Sequence, residues 1–283
     1  MVGIVIVSYK NAEATASFIR EQLVKVKLPW KAIIIDNSPE ESVARVIAQK
    51  CDGVFLSNCD GTIQETERNV FVVSTQQNIG FARGNNLGVN ILLNNFTINY
   101  LLFSNDDIII DDSSVVEKMI KLLKQRPEVG VIGPRIVGRD YLDQSPHYRV
   151  ITPLRQIGWA LTRRFRNRRN SISGLIAEPQ SGYCYWVSGC FFMVRQPDFI
   201  SVKGFEPRTF LYSEEVILAE RMKCINKREY FMAEVSVIHL GGSSTKKLQN
   251  KALRNYLKQS NCIYYRDYLH SNPLLVWLYK TIC

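Results

Sequence analysis

The sequence predicts an α/β fold built on one mostly parallel sheet with helices on its faces. Continuous apolar runs rich in β-branched residues, such as GIVIVSY (3–9) and KAIIIDN (31–37), are typical of strands buried on both faces. Helical segments alternate with such runs through the first 135 residues, as they do in parallel sheets. Of the 283 residues, 46% are hydrophobic, so the chain can bury a substantial core.

The elements of the first half follow in the order that this fold requires. After the first strand a helix is expected over roughly residues 12–26, and another follows the glycine turn in NIGFARGNNLGVNILL. The segment SSVVEKMIKLLKQRPEVG predicts a third helix, because apolar residues recur at helical spacing behind a serine N-cap. The other predicted strands are NVFVVST (69–75), NYLLFSNDD (99–107) and VGVIGP (129–134).

The regular alternation stops near residue 135. Residues 139–182 are rich in Arg, Pro, Ser and Gly, and we expect loops or a mobile insertion there. Order is expected to return in a strand over YCYWVSGCFFMV, a helix starting in LYSEEVILAERMKC, a strand over EYFMAEVSVIHL and a helix over 249–270. The predicted organisation is one domain over 1–245, with halves 1–135 and 136–245, and a C-terminal helical extension over 246–283.

The net charge of +10 indicates an anionic partner, which can be a nucleic acid, a nucleotide or a membrane surface. Part of the positive excess lies in RRFRNRR, between Arg163 and Arg169. This stretch could bind a lipid diphosphate or an anionic membrane, or it could be a solvated loop, and the sequence leaves both alternatives open. The C-terminal NPLLVWLYKTIC is apolar but too short to cross a bilayer. An interfacial position and packing on its own domain both remain open for this segment.

The cysteines and the apolar runs bear on location. Seven cysteines without a CxxC pair argue against a zinc site and a disulfide framework, and favour reduced thiols in a cytosolic protein. No signal peptide is recognisable, and no apolar run reaches the ~20 residues that span a bilayer. We expect a cytoplasmic location, with peripheral contact at the inner face of the cell membrane left open.

Polar residues follow three predicted strands at the point where each ends. Because the carboxyl ends of parallel strands share one edge, these side chains should converge there. Adjacent carboxylates at Asp106 and Asp107 suit Mg²⁺ or Mn²⁺, which prefer oxygen ligands. The alternative is that one of them caps the next helix, although Asp111 and Asp112 are better placed for that. The three sets are Ser8 and Tyr9, Asp36 and Asn37, and Asn105, Asp106 and Asp107.

The segment NIGFARGNN places glycines, asparagines and Arg83 before a helix. Backbone amides at a helix start favour phosphate, and an arginine adds positive charge. The segment lacks both the GxGxxG of a dinucleotide fold and the GK[ST] of a P-loop, so those two functions lose support.

Two further features carry candidate chemistry. Glu214 and Glu215 lie at a helix start with apolar neighbours, and burial beside a like charge would raise one pKa, as a general base requires. The alternative is a pair of acids stabilised by the helix dipole. His239 follows an apolar strand, and a structural role and a metal-ligand role are about equally supported.

Eight segments, taken in order, resemble the family 2 inverting glycosyltransferases, in particular the rhamnosyltransferase-like members that build bacterial surface polysaccharides. They cover roughly residues 2–245, and the ordered set is more specific than any one segment. The resemblance implies the GT-A fold, a single Rossmann-like, mostly parallel sheet with flanking helices and a C-terminal helical extension. The segments are VIVSYKN, IIIDNS, NIGFARGNN, LLFSNDDI, VGVIGP, VSGCFFMVR, GFEPRTFLYSEEVILAERM and VIHLGGSS.

The resemblance also implies roles for the matching residues. Asp107, the last acid of a DxD-type motif, would bind Mn²⁺ or Mg²⁺, with His239 as a further ligand. Glu215 would be the catalytic base, with Glu214 as the alternative. Ser8, Tyr9, Asp36, Asn78, Gly80, Arg83, Asn85 and Asp106 would hold the nucleotide sugar, and Trp186 and Gly189 would line the donor sugar and acceptor.

Two departures from the family pattern bear on these roles. Asn105 stands where the DxD motif has its first carboxylate, a change that this subfamily tolerates. The usual Glu-Asp pair is Glu-Glu here, and Ile217 stands where the family often has another acid. The assignment of the base therefore stays open between Glu214 and Glu215.

The implied activity is a metal-dependent, inverting transfer of a sugar from a nucleoside diphosphate sugar to a hydroxyl of a glycan or lipid-linked glycan. O-antigen or capsule-type synthesis would be its setting, and nucleic acid would not be a partner. The donor sugar, the base, the acceptor, the linkage and the oligomeric state do not follow from the sequence.

Three other classes compete with this interpretation. A sugar nucleotidyltransferase would show a glycine-rich, basic loop after the first strand, which VSYKNAEATA lacks. A non-catalytic nucleotide-sugar-binding protein would bind the donor without hydrolysing it. A nucleic-acid binder would interleave aromatic residues with its basic ones as stacking platforms, and the arginine stretch does not.

Overall fold

The computed structural model describes residues 1–57, 62–64, 67–162, 179–241 and 250–283. Within them, ten strands form one sheet with α-helices packed against it, which confirms the predicted α/β class. The arginine stretch from Arg163 to Arg169 lies outside the described residues.

The strands run in the order β3-β4-β2-β1-β5-β9-β7-β10-β6 across the sheet, and β8 pairs with β10. Their bounds are β1 Val2–Ser8, β2 Trp30–Asp36, β3 Val54–Leu56, β4 Val70–Ser74, β5 Tyr100–Ser104, β6 Ile108–Ile109, β7 Val129–Gly138, β8 Gly182–Cys184, β9 Phe191–Arg195 and β10 Arg228–His239.

The helices connect these strands and close the C-terminal end. A 3₁₀ turn at Leu23–Lys25 follows the first helix, and a π-helical turn at Tyr264–Tyr268 follows the eighth. Their bounds are α1 Ala12–Glu21, α2 Glu41–Lys50, α3 Phe81–Asn95, α4 Val115–Gln125, α5 Pro153–Thr162, α6 Gln196–Ser201, α7 Glu214–Cys224, α8 Asn250–Ile263 and α9 Pro273–Ile282.

The first five strands in the order are all parallel, and their register brings the polar strand ends together. Ser8 pairs with Asp36, and Asp36 pairs with Ser74 on the next strand. Strand β5 lies on the other side of β1, so Asn105 and the two aspartates leave the sheet at the same edge. The predicted convergence of the strand ends is confirmed.

The second half mixes strand directions. Strand β9 is antiparallel to both β5 and β7, whereas β10 returns parallel to β7. At its end β10 pairs antiparallel with β6, with His239 opposite Ile108. This short pairing brings His239 next to Asp107, which precedes β6 in the chain.

Alternating side chains of the central strands fill two cores, one on each face of the sheet. On β1, Ile4 and Ile6 enter the first core and Val5 enters the second, and all three are fully buried. This alternation follows from the two-residue period of a strand and explains why both faces of GIVIVSY are apolar.

Several boundaries predicted from the sequence were wrong. The single strand expected over YCYWVSGCFFMV is two strands, β8 and β9, separated by a turn. The expected loop region 139–182 contains α5, and the helix expected over 12–26 ends as an α-helix at Glu21. The predicted serine N-cap of α4 is in position at Ser114, but its side chain bonds Asp112 instead of capping the helix.

A third core joins the C-terminal helices to α5 and α7. Ile157 of α5, Ile217 of α7, Tyr264 after α8 and Tyr279 of α9 are all buried in it. The C-terminal helices are therefore packed on the main domain. No helix in the described part of the chain is both long and apolar enough to cross a membrane.

Candidate active site

A cavity of about 300 Å³ lies at the edge of the sheet where the parallel strands end. Nine of the residues assigned to the site from the sequence line it: Tyr9, Asn78, Gly80, Asp106, Asp107, Gly189, Glu214, Glu215 and His239. Its other lining residues are Val7, Asn37, Phe81, Asn105, Ser188, Cys190, Phe210, Leu211 and Tyr212.

Asp106 is held in place by α1. Its Oδ2 atom lies 2.7 Å from Thr15 Oγ1 and 3.3 Å from Asn11 Nδ2, and Ser8 Oγ lies 2.8 Å from the same Thr15 hydroxyl. Burial raises the pKa of Asp106, and the Thr15 hydrogen bond opposes that rise. The fully buried Ser8 therefore acts on the site through Thr15 rather than by lining the cavity.

Asp107 and His239 face each other across the cavity wall. Asp107 Oδ1 lies 3.3 Å from His239 Nε2, and the main-chain amide of Leu240 donates to the Asp107 carbonyl at 2.9 Å. The other ring nitrogen, Nδ1, lies 2.8 Å from Gln144 Oε1. Because a carbonyl oxygen only accepts, Nδ1 carries a proton in this arrangement, and Nε2 is the ring atom that faces Asp107.

This pair has the chemistry of a site for a divalent cation. Asp107 Oδ1 is buried and accepts no hydrogen bond from any described residue, so it is an oxygen ligand without a donor. A histidine oriented by a second hydrogen bond is the usual arrangement of a metal-bound imidazole. No group of three such ligands occurs in the described residues. Two protein ligands suit an ion that is also bound by substrate phosphates.

The two glutamates begin α7 and differ in exposure. Glu214 is 2% exposed, and its Oε1 atom has no hydrogen-bond partner among the described residues. Burial, and then the charge of Glu215, raise the pKa of Glu214 well above its usual range. Burial also raises the pKa of Glu215. As a whole residue Glu215 is more exposed than Glu214, and both glutamates line the cavity.

Gly189 lets the turn between β8 and β9 approach Glu215. A β-carbon at this position would overlap Glu215 Oε1, so another residue would displace the carboxylate. The backbone of Gly189 also hydrogen-bonds the Glu215 carboxylate, which lowers its pKa against the effect of burial. The turn is fixed by Glu229, whose Oε2 accepts from the Val187 amide at 2.8 Å.

The residues before α7 have a strained backbone. Tyr212 and Ser213 have φ of 73° and 67°, in the left-handed region that residues other than glycine rarely adopt. The C-terminal helix α8 stabilises them: Ser260 Oγ donates to the Leu211 carbonyl at 2.9 Å and Ser213 Oγ donates to Asn261 Oδ1 at 2.8 Å. Helix α8 therefore fixes the direction in which the two glutamates leave the turn.

The start of α3 lines the cavity but uses its first amides internally. Gly80 has φ of 86°, and a β-carbon there would lie 2.6 Å from the Phe210 carbonyl. The amide of Gly80 donates to Asn78 Oδ1 at 3.0 Å, and that of Phe81 donates to Phe210 at 2.8 Å. These two amides already have protein partners, so phosphate binding at the start of α3 stays a prediction for the other amides of its first turn.

Four assigned residues lie outside the cavity lining, besides Ser8. Arg83 donates from Nε to the Pro207 carbonyl at 2.8 Å, and the buried Asn85 donates to the Phe81 carbonyl at 3.0 Å. Both side chains therefore stabilise the start of α3 in this structure. Asp36 and Trp186 are the other two.

Asp36 is fully buried at the end of β2. Its Oδ1 atom accepts from the Ser38 hydroxyl at 2.7 Å, and no described residue donates to its Oδ2 atom. Burial raises the pKa of Asp36 to about 6, against the opposing bonds from Ser38. The adjacent Asn37 lines the cavity, so Asp36 contacts a ligand in this cavity only if the strand end rearranges.

Trp186 lies in a second cavity of about 480 Å³. Its ring stacks on His147, with centroids 3.6 Å apart and planes 9° apart. Arg149, Arg155 and Trp159 also line this cavity. Trp186 is three residues from Gly189, so the turn between β8 and β9 connects the two cavities.

Several residues of the site were missed in the sequence. Gln144 lies in the region expected to be loops, and its contact with His239 spans 95 residues, so no local pattern marks it. Asn11 and Thr15 follow the first strand at the start of a helix, a position from which ligand-facing residues of α/β folds are often drawn. That position was a usable signal.

Three solved structures have folds similar to this chain. GalNAc-T7, crystallised with UDP, GalNAc and Mn²⁺, has a TM-score of 0.60 at 12% identity over 94% of this chain and 49% of that chain. The mannosyltransferase PcManGT of Pyrobaculum calidifontis, in complex with GDP-Man and Mn²⁺, has a TM-score of 0.58 at 11% identity over 98% and 69%. TarS residues 1–349 of S. aureus has a TM-score of 0.54 at 11% identity over 93% and 71%. These likenesses confirm the GT-A fold.

Two sequence comparisons complete the assignment. The rhamnosyltransferase WbbL of Escherichia coli (strain K12) is 31% identical over 75 residues, which are 26% of this chain and 28% of that protein. The chain thus matches less than a third of that relative's length. The family described as Glycosyl transferase family 2 matches residues 4–195, which is more than half of the chain. The chain therefore belongs to Glycosyl transferase family 2.

Proposed function

We propose that this protein is an inverting glycosyltransferase that moves a sugar from a nucleoside diphosphate sugar to an acceptor hydroxyl. The observation that carries the proposal is the meeting of Asp106, Asp107, His239 and Glu215 on one cavity. These residues come from three distant parts of the chain. A structural role for each acid separately would not require them to converge.

The reaction is a single displacement at the anomeric carbon. Glu215 takes the proton of the acceptor hydroxyl, whose oxygen forms the new bond to the anomeric carbon from the face opposite the diphosphate. The bond between that carbon and the diphosphate oxygen breaks, and the nucleoside diphosphate leaves with the electron pair. One displacement of this kind inverts the configuration. General-base catalysis of this type is typically worth ~100- to 10,000-fold in rate.

Glu215 is favoured over Glu214 as the base because of its access and its partner. Glu214 is almost fully buried, and its pKa is raised well above the usual range, which favours the neutral acid. Glu215 is more exposed and accepts a backbone hydrogen bond from Gly189, which supports the ionised form. A base must be both accessible and ionised before the transfer.

Asp107 and His239 would hold a divalent cation, Mn²⁺ or Mg²⁺. When bound, such a cation would neutralise the negative charge that develops on the departing diphosphate. Asp106 would contact the nucleotide sugar beside it, and Tyr9, Asn78 and the turn at Gly80 would line the nucleotide. Two structures with the same fold contain Mn²⁺, which supports a divalent ion here.

A rhamnosyl donor is supported by the match to the rhamnosyltransferase WbbL, which covers 28% of that relative. The proposed setting, bacterial surface polysaccharide synthesis with a glycan or lipid-linked glycan as acceptor, rests on the sequence resemblance.

Donor hydrolysis is the experiment that separates this function from non-catalytic binding. The protein is incubated with a panel of nucleoside diphosphate sugars and Mn²⁺, and the released nucleoside diphosphate is measured. Slow release, stimulated by metal and lost in Glu215→Gln, supports the transferase. If a donor binds but no donor of the panel releases nucleoside diphosphate, a nucleotide-sugar-binding protein is favoured. If the protein releases pyrophosphate from a nucleoside triphosphate and a sugar phosphate, a nucleotidyltransferase is favoured.

A further inference from the structure

Helices α5, α8 and α9 form one surface at the C-terminal end of the molecule, here called the helical surface. Helix α9 packs against both α5 and α8. The inward sides of α5 and α9 enter the third core through Ile157 and Tyr279.

The outward side of α9 is apolar rather than polar. Leu274 and Trp277 are 61% and 59% exposed, and they lie on the side of the helix opposite the buried Tyr279. Ile282 at the end of α9 is also exposed, as are Leu154 and Leu161 on α5, which lie along the same side of that helix as the buried Ile157. Single exposed apolar residues are normal, but an apolar group on two packed helices marks an interaction site.

The charges on this surface have one sign. Helices α5, α8 and α9 contain five basic residues and no acidic residue, whereas the whole chain has 36 basic and 26 acidic ones. Lys258 Nζ donates to the Lys280 carbonyl at 3.0 Å, so the basic residues of α8 and α9 lie close to the apolar group. The basic residues are Arg155, Lys251, Arg254, Lys258 and Lys280.

We propose that the helical surface docks the protein on an anionic lipid bilayer. Trp277 and the leucines enter the boundary between headgroups and acyl chains, and the lysines and arginines contact the anionic headgroups. Interfacial helices combine an apolar side that carries tryptophan with a basic border in this way. Each basic residue near an anionic surface adds to the binding, and salt weakens the contribution.

The position of the surface next to the candidate active site gives docking a consequence. Arg155 and Trp159 of α5 line the second cavity together with Trp186, and Trp186 is three residues from Gly189 at Glu215. An acceptor carried by the bilayer would therefore lie at the second cavity, which the turn between β8 and β9 connects to Glu215. This consequence rests on the proposed function, whereas the docking does not.

The test is sedimentation of the full chain with vesicles. The protein is mixed with vesicles of phosphatidylcholine alone or of phosphatidylcholine with phosphatidylglycerol, at low and high salt. Wild type is expected to bind the anionic vesicles at least about tenfold more tightly than the neutral ones. Leu274→Ser with Trp277→Ser should lose at least about tenfold of the binding, because each side chain buries apolar area.

A matched pair controls for the loss of exposed apolar residues. Val24→Ser with Ile200→Ser removes side chains that are 63% and 45% exposed on other elements, and it should bind like wild type. Melting temperature and nucleoside diphosphate binding of each variant are measured in parallel, so failed docking and failed donor binding are distinguished. The proposal is overturned if wild type stays in the supernatant, if the α9 variant binds like wild type, or if wild type dimerises and the α9 variant does not.

Discussion

At the scale of the residue, the site depends on two adjacent carboxylates that have different environments. Asp106 is satisfied by Thr15 and Asn11 of α1, whereas Asp107 keeps an oxygen without a donor among the described residues. Hydrogen bonds to Asp106 thus relieve part of the repulsion between the two carboxylates. A cation bound by Asp107 and His239 would relieve the rest.

The assignment of the base gives the first prediction. Glu215→Gln should lower the rate of sugar transfer by roughly 100- to 10,000-fold and leave the donor Kd within about threefold, because the amide cannot take a proton. Glu214→Gln should keep the rate within about tenfold, because an amide resembles the neutral acid that burial favours. Steady-state kinetics and calorimetric donor titration measure both variants. A larger loss in Glu214→Gln than in Glu215→Gln would reverse the assignment.

The second prediction concerns Gln144, which sequence reasoning did not find. Gln144→Ala removes the hydrogen bond that orients His239, so Mn²⁺ affinity in the presence of a nucleoside diphosphate should fall about 10- to 100-fold. Gln156→Ala, on α5 at the second cavity, is the matched control and should leave affinity unchanged. Electron paramagnetic resonance of free Mn²⁺ measures the Mn²⁺ affinity of both variants. Equal affinities in the two variants would exclude the role of Gln144.

At the scale of the element, helix α8 holds the strained turn that precedes α7. The two left-handed residues, Tyr212 and Ser213, each cost on the order of 1–3 kcal/mol and persist only where their surroundings fix them. Asn261 supplies that support, since it accepts from Ser213 and donates to Tyr279 Oη at 2.8 Å. The C-terminal helices therefore contribute to the geometry of the glutamates.

A substitution on α8 tests this support. Asn261→Ala should lower the free energy of unfolding by about 1–3 kcal/mol, because two buried partners lose their hydrogen bonds. Asn255→Ala, an exposed position on the same helix, should change it by less than about 0.5 kcal/mol. Urea denaturation measures both. Equal stability of the two variants would show that the turn does not need α8.

The carboxylate of Glu206 joins the loop before α7 to the C-terminal helices, and its protonation should change the stability of the protein. Glu206 accepts from Arg208 at 2.7 Å and Arg221 at 2.9 Å, and Tyr268 also donates to it. The Arg208 hydrogen bond, and then that of Tyr268, lower the pKa of Glu206 from 4.5 to about 2 against the effect of burial. A lowered pKa means that the stabilisation is present above pH 4.5 and is lost as the pH falls towards 2.

The measurement is the free energy of unfolding across that pH window. Wild type should lose stability between pH 4.5 and about 2 more steeply than Glu206→Gln, which has no carboxylate to protonate. Parallel curves for the two proteins would mean that Glu206 does not contribute.

Local patterns predicted most of these elements but not their contacts. The β-branched runs specified the parallel strands, because such runs are stable only when both faces are buried. The YCYWVSGCFFMV segment was predicted as one strand instead of two, because the six residues between β8 and β9 are as apolar and aromatic as the strands themselves. Side chains such as Trp186 and Val187 pack against other elements, so tertiary contacts override the local preference.

At the scale of the whole molecule, the sheet edge collects residues that are far apart in sequence. The convergence of Tyr9, Asn37 and Asp107 could be predicted, because strand ends of a parallel sheet share one edge. Glu215 begins a helix, and only the family resemblance predicted its place at the site. The positions of Arg83 and Trp186 could not be predicted, because each depends on a partner distant in sequence, Pro207 and His147.

The proposed binding of a nucleoside diphosphate sugar and a divalent cation at this edge is tested by the melting temperature of the protein with each donor, with and without Mn²⁺. The panel contains nucleoside diphosphate sugars of different bases, and the proteins are wild type and Asp107→Asn. At least one donor should raise the melting temperature of wild type in the presence of Mn²⁺, because a ligand of the native state stabilises it, and Asp107→Asn should lose most of that rise. A panel without any stabilising donor, or an equal rise in Asp107→Asn, would contradict the account.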